Sequence, residues 1–143
     1  MLKTCSRCNE PKDESEFGTR GKKRPNEVFP YCKECRAIVS CMRRREIKHE
    51  TFMQYGGCKC SCICGCNETE EDFLGLDHIN DDGGKQRKEL KIPGGINYYR
   101  WLKKHNWPDK DKLIVACHNC NLGRAMNSGL CPRAFHKIHP QSK

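Results

Sequence analysis

The sequence predicts an α+β protein: a small zinc-stapled domain of short strands and helices, preceded by a four-cysteine zinc-knuckle module and a basic helix. Three observations carry that expectation. Thirteen of the 143 residues are cysteine, several of them at metal-ligand spacing. Hydrophobic residues make up only 36% of the chain, those cysteines included, too little apolar matter to offset chain entropy without staples. The formal net charge of +9 suits a polyanionic partner, because Lys and Arg near phosphates release condensed counterions. No charged-then-apolar leader follows Met1, so thiolate coordination in a reducing cytoplasm is expected rather than disulfides. The longest apolar run, Leu113 to Cys117, is too short to cross a bilayer. No large apolar helix face accompanies the charge, which disfavours a membrane partner.

Residues 1–36 form the first expected module. Cys5-x2-Cys8 and Cys32-x2-Cys35 are two knuckle halves: a two-residue gap lets the chain turn so that both sulfurs face one ion, and two such turns complete a tetrahedron. Between them lies a basic stretch, Arg20 to Arg24, closed by Pro25. Helix-compatible residues then run from about Lys33 to Tyr55, stopped by Gly56-Gly57, so that residues 37–57 form a basic linking helix. Arg36, Arg43, Arg44, Arg45 and Lys48 make its surface cationic. They either contact phosphate or pair with Glu34, Glu46 and Glu50 on a solvated face.

Residues 58–131 have another rhythm. Phe73 to Ile79 is apolar enough for a short strand, and Asn80-Asp81-Asp82-Gly83-Gly84 ends it as a turn. Ile96 to Asn106 predicts a helix that stops before Pro108. It carries Tyr99, Trp101 and Leu102 beside Arg100, Lys103 and Lys104, aromatic residues that either fill a core or stack on nucleic acid. Lys112 to Ala116 is the second strand, and a last helix is expected over about Asn121 to Met126. Residues 132–143 form a basic tail.

Cys117-x2-Cys120 supplies half of a second metal site. The other half must come from Cys58, Cys60, Cys62, Cys64 and Cys66, which offer no two-residue gap. The residue after a knuckle's last cysteine often takes a left-handed conformation suited to Gly or Asn, and both Cys64-Gly65 and Cys66-Asn67 qualify. Such a dense thiolate run also resembles a metal store. Cys41 and Cys131 are spare on this reading, and two zinc ions per chain are expected.

Beside the second knuckle lie Asp77, His78, Asn121 and Arg124. A zinc joining residues near 66 to residues near 120 brings Asp77, His78 and Asn121 toward one another. Asp77 and Asn121 are a hard-oxygen pair suited to Mg²⁺ or a similar divalent ion. Histidine is the side-chain type suited to take a proton from water at neutral pH, a role open to His78, and Arg124, one turn beyond Asn121, can hold a phosphate. Singly, Asp77, His78 and Asn121 have plain structural roles: turn cap, strand-end histidine and helix N-cap.

Leu76-Asp77-His78-Ile79-Asn80, followed by Cys117-His118-Asn119-Cys120-Asn121 and Arg124, resembles the HNH endonucleases, particularly those of phages and mobile elements. Tyr99 to Lys103, Cys131-Pro132 and the N-terminal knuckle fit the same resemblance. It implies a ββα-metal fold (treble-clef-like), with His78 as general base and Asp77 and Asn121 holding one catalytic Mg²⁺ or Mn²⁺. It also implies Cys62 and Cys66 as the partners of Cys117 and Cys120. The family's middle asparagine falls near Asp111 or Lys112, so Asn80, Asn97, Asn119 or a backbone carbonyl is left to orient the imidazole.

The leading expectation is metal-dependent hydrolysis of DNA, by a homodimer if both strands are cut, in the cytoplasm (a host cell's if phage-encoded). The alternative is a non-catalytic zinc protein that binds nucleic acid. On either, Arg43, Arg44, Arg45, Lys48, Arg100, Lys103 and Lys104 are the candidate DNA contacts. Neutralising Arg43, Arg44 and Arg45 together should weaken DNA binding and flatten its dependence on salt, leaving sequence preference unchanged, because phosphate contacts position without reading bases. An unchanged slope of affinity against salt would place this face in solvent.

Overall fold

Short paired strands deliver the cysteines in the computed structural model, which describes residues 1–134; the expected tail lies outside them from residue 135 onward. The described chain is a small mixed α+β protein with three two-stranded antiparallel sheets. It divides into two compact units, Met1–Arg45 and the rest, and the division falls inside a long helix.

In the first unit β1 (Leu2–Thr4) pairs with β2 (Pro11–Asp13), and β3 (Phe17–Thr19) with β4 (Val28–Cys32). No strand was expected here, because three residues are too few to display a period of two. The core of this unit is Cys5, Phe17, Cys32 and Cys35, with Val28 and Tyr31 against it. One phenylalanine among cysteines cannot hold a fold by apolar burial alone.

Helix α1 (Lys33–Gln54) matches the expected basic helix. Gly56 and Gly57 end it at φ +112° and +96°, and Gly57 N–H returns to the Phe52 carbonyl at 2.8 Å, closing carbonyls that the last turn would leave open. Ile38 and Met42 are half exposed, whereas Ile47, Thr51 and Phe52 are buried. The helix is therefore buried at Cys35 in its first turn and again from Ile47 onward, with an exposed stretch between.

In the second unit β5 (Leu74–His78) pairs with β6 (Leu113–Cys117), in a register running from Leu74 opposite Cys117 to His78 opposite Leu113. Between these strands come α2 (Gly83–Glu89) and α3 (Ile96–Lys104), and α4 (His118–Met126) follows β6 directly. Phe52, Leu74, Leu102, Leu113 and Val115 are fully buried, each contributing about 1.5–3 kcal/mol. The turn expected at Asn80–Gly84 is shorter than that, since α2 begins at Gly83. On α3, Tyr98 and Leu102 are buried while Tyr99 and Trp101 pack against the same core, so the aromatics fill the interior. Helix α4 starts three residues before the expected Asn121. Cys117 is its N-cap, its sulfur accepting from Cys120 N–H at 3.4 Å, and Asn121 lies one turn inside the helix. Among the described residues no helix is long and apolar enough to cross a membrane.

Candidate functional site

Cys5 follows β1, Cys8 lies in the loop to β2, Cys32 ends β4 and Cys35 sits in the first turn of α1. Their four sulfurs lie within 4.8 Å of one another. A tetrahedral zinc with Zn–S bonds of about 2.3 Å sets sulfurs about 3.8 Å apart, so the group fits that ion. The left-handed residue that closes such a knuckle is Asn9, at φ +59°. Cys32 N–H donates to Cys5 Sγ at 3.3 Å. Burial opposes ionisation of Cys5, yet the backbone N–H groups of Cys32, Cys8 and Arg7 outweigh it and bring the thiol down to about 6. Burial and the surrounding thiols push Cys35 up to about 12. Four thiolates gathered this closely would require a cation, and the group could hold one.

The central cysteines assemble differently from the sequence expectation. Cys60 and Cys66 join Cys117 and Cys120 in one four-sulfur group; Cys62 instead joins Cys64, Cys120 and Cys131 in another. The cause is a turn. Gly65 N–H bonds to the Cys62 carbonyl at 3.1 Å, with Gly65 and Asn67 both left-handed at φ +66° and +54°. The chain thus doubles back, and the cysteines flanking the turn, Cys60 and Cys66, come together. Ser61 N–H bonds to the Val115 carbonyl at 2.8 Å, laying the loop beside β6, and Cys117 N–H reaches Cys60 Sγ at 3.2 Å. Cys131 is buried in the second group rather than spare, while Cys41 is exposed. A fourth, more exposed group joins His49, Cys58 and Glu71. The His49 Nδ1–Glu71 Oε1 hydrogen bond of 2.6 Å accounts for it and holds the Glu71 carboxyl below its usual range.

Asp77 and His78 lie at the end of the β5–β6 pair away from Cys117. Helix α4 turns back from Cys117 along the hairpin. At about 1.5 Å per residue, Arg124 is the residue that reaches Asp77: its Nη1 donates to Asp77 Oδ2 at 2.6 Å and its Nη2 to the Ile79 carbonyl at 2.9 Å. Asn121 lies about one turn short of that point, and among the described residues its side chain makes no hydrogen bond. The direct partner of Asp77 is therefore Arg124. Burial raises the Asp77 carboxyl above its usual value, with the Arg124 guanidinium opposing. Arg124 also borders an open cleft of about 330 Å³ together with Ile79, Ile114 and Leu130.

His78 is held by residues that its sequence neighbourhood does not announce. Gln86 of α2 donates its Nε2–H to Asp109 Oδ2 at 2.9 Å. That fixes the amide, so Gln86 Oε1 faces His78 Nε2 at 2.7 Å. The Tyr98 hydroxyl, kept protonated by burial that pushes it up to about 12, donates to the same oxygen at 2.7 Å. With Oε1 an acceptor only, His78 Nε2 carries the proton and Nδ1 is the free base nitrogen of the neutral ring. Nδ1 faces Gly83, where a methyl group would collide with it. None of Asn80, Asn97 and Asn119 makes this contact; the orienting amide is Gln86. Sequence could single out neither Gln86 nor Asp109, because ordinary polar residues on a helix and a loop carry no spacing signal.

Of the candidate DNA contacts, Arg43, Arg44, Arg100, Lys103 and Lys104 are exposed. Lys103 Nζ pairs with Glu50 at 2.6 Å and Arg100 Nη1 donates to Asn97 Oδ1 at 3.3 Å. Arg45 is engaged, and Lys48 lies over the Phe52 ring at 5.5 Å. No known family model, curated protein or solved structure matches this chain.

Removing metal tests the role of the cysteines as a group. A strong chelator at neutral pH should erase most of the far-ultraviolet circular dichroism, and added zinc should restore it. A native spectrum in excess chelator would mean that the cysteines act only as small buried apolar residues.

Proposed function

We propose that this chain is a zinc-stapled, metal-dependent DNA endonuclease of the HNH (ββα-metal) type. The observation that carries the reading is the imidazole of His78, whose tautomer Gln86 fixes with Nδ1 as the base, next to the buried Asp77–Arg124 pair. A general base needs a defined unprotonated nitrogen and a pKa near the working pH, and the hydrogen bonds that fix the tautomer supply the first.

A carboxylate whose burial must be offset by a cation, on a hairpin facing the helix that carries Asn121, fits a divalent ion with few protein ligands. Asp77, with Asn121 one turn nearer the start of α4, would hold Mg²⁺ or Mn²⁺ once the Arg124 guanidinium leaves the carboxylate for a phosphate; when bound, the ion supplies charge stabilisation at phosphorus and at the leaving oxygen. His78 Nδ1 takes the proton of the attacking water. Gln86 holds the ring, backed by Asp109 and Tyr98. Arg124, which borders the cleft, presents its guanidinium to a phosphate. The net charge of +9 draws DNA to the surface. Cutting both strands is simplest for two copies, each acting on one.

One observation favours a second reading, a zinc protein that binds nucleic acid without cutting it. His78 is 7% exposed, and Gly83 lies on its base nitrogen, so water must gain entry at the start of α2. Incubation of the purified chain with supercoiled plasmid separates the readings. Nicked or linear product that requires Mg²⁺ or Mn²⁺ while zinc stays bound supports the nuclease. Tight binding with no product supports the alternative.

His78→Ala should lower cleavage about 10²–10⁴-fold with DNA affinity and zinc content unchanged. Gln86→Leu, which releases the tautomer, should cost about 10–100-fold. Asp77→Ala should abolish cleavage, with partial return at high Mn²⁺; His78→Ala should show no such return. Cleavage by His78→Ala at the wild-type rate would sink the mechanism.

A further inference from the structure

We propose that the central cysteines hold two zinc ions as one binuclear centre, with the Cys120 thiolate bridging them. The two four-sulfur groups, Cys60–Cys66–Cys117–Cys120 and Cys62–Cys64–Cys120–Cys131, share the Cys120 sulfur and no other. That sulfur lies 3.4 Å from Cys64, 3.7 Å from Cys66 and 3.9 Å from Cys131. These separations lie close to the tetrahedral edge of about 3.8 Å that a zinc–thiolate site imposes. Cys120 thus stands at a corner common to two tetrahedra. Two ions bonded to one sulfur at about 2.3 Å each lie no more than about 4.6 Å apart, which makes them a single centre.

A simpler account would place one ion in the first group and treat Cys62, Cys64 and Cys131 as small apolar side chains, a common state for buried cysteine. Apolar packing gives no reason for three sulfurs from two separate stretches of chain to converge on a fourth. Cys62, Cys64 and Cys131 are 8%, 2% and 4% exposed, and all have their sulfurs turned to the same point. Soft thiolates in that number select zinc or another soft ion. Sharing one thiolate also leaves the pair with one negative charge fewer than two separate four-thiolate sites, which eases its burial.

The second ion would act on the site described above. Cys131 is the only one of the seven that follows α4, so the ion ties down the chain beyond that helix. Gly123 of α4 packs against Pro132, with no room for a side chain between them, and Arg124 Nε donates to the Gly129 carbonyl at 3.4 Å. The clamp therefore holds the segment that positions the Arg124 guanidinium.

Reconstitution of the full chain with ¹¹³Cd, a spin-½ stand-in for zinc, tests the bridge. Two cadmium resonances should split each other by scalar coupling, which passes through a shared sulfur and not through space. The N-terminal site should give a third, unsplit resonance. Absence of mutual splitting would overturn the proposal, as would a denatured mass showing Cys62, Cys64 or Cys131 in a disulfide. Native mass spectrometry of the zinc form adds a second readout. Cys62→Ala with Cys131→Ala leaves the second position only Cys64 and the shared Cys120, so one zinc fewer than wild type should remain bound. An unchanged zinc count would also overturn it.

Discussion

The convergence of sulfurs at the corner between β6 and α4 is the constraint on which the rest of the second unit depends. Cys117 ends the strand and caps the helix, and Cys120 lies in the first turn of that helix. The same two sulfurs meet Cys60 and Cys66 from the loop before β5. A loop, a hairpin end and a helix N-terminus are therefore fixed at one point. From that corner α4 runs back along the hairpin, and its length carries Arg124 to Asp77. The apolar core alone could not impose this. Its fully buried members are a handful of side chains from α1, β5, α3 and β6, and none of them comes from α4 except Cys120.

Polar groups at the other end of the hairpin complete the arrangement. Asp77 and His78 are buried, and buried polar groups persist only when satisfied. Arg124 satisfies the first. Gln86 satisfies the second, and is held in turn by Asp109 and Tyr98. Each of these partners comes from a different helix or loop, so the hairpin end gathers α2, α3, α4 and the loop before β6 around two adjacent side chains. This chain of hydrogen bonds fixes one imidazole tautomer at the strand end, and the role proposed for His78 rests on it.

What the sequence made legible follows from how far each signal reaches along the chain. The N-terminal ligands Cys5, Cys8, Cys32 and Cys35 could be read because a two-residue gap is a local geometric fact. Helix α1, strands β5 and β6 and helix α3 showed through composition and Gly or Pro stops. The ligand set in the central loop could not be read, because the order in which Cys58 to Cys66 turn inward depends on the bend at Cys62–Gly65 and on pairing with β6. Cys131 was lost for the same reason, having no partner at ligand spacing. That Arg124, rather than Asn121, would bond Asp77 directly could not be read either: α4 begins at His118, and the strand register places Cys117 at the far end from His78. Gln86 and Asp109 were invisible, since only the folded chain brings them to the imidazole.

Sulfur-bound metal, rather than apolar burial, would hold these elements together. X-ray absorption at the zinc edge of the purified chain measures it most directly. The expected result is tightly bound zinc whose nearest neighbours are sulfur alone, at about 2.3 Å. A shell containing nitrogen or oxygen at about 2.0–2.1 Å, or a folded chain carrying no zinc, would contradict it.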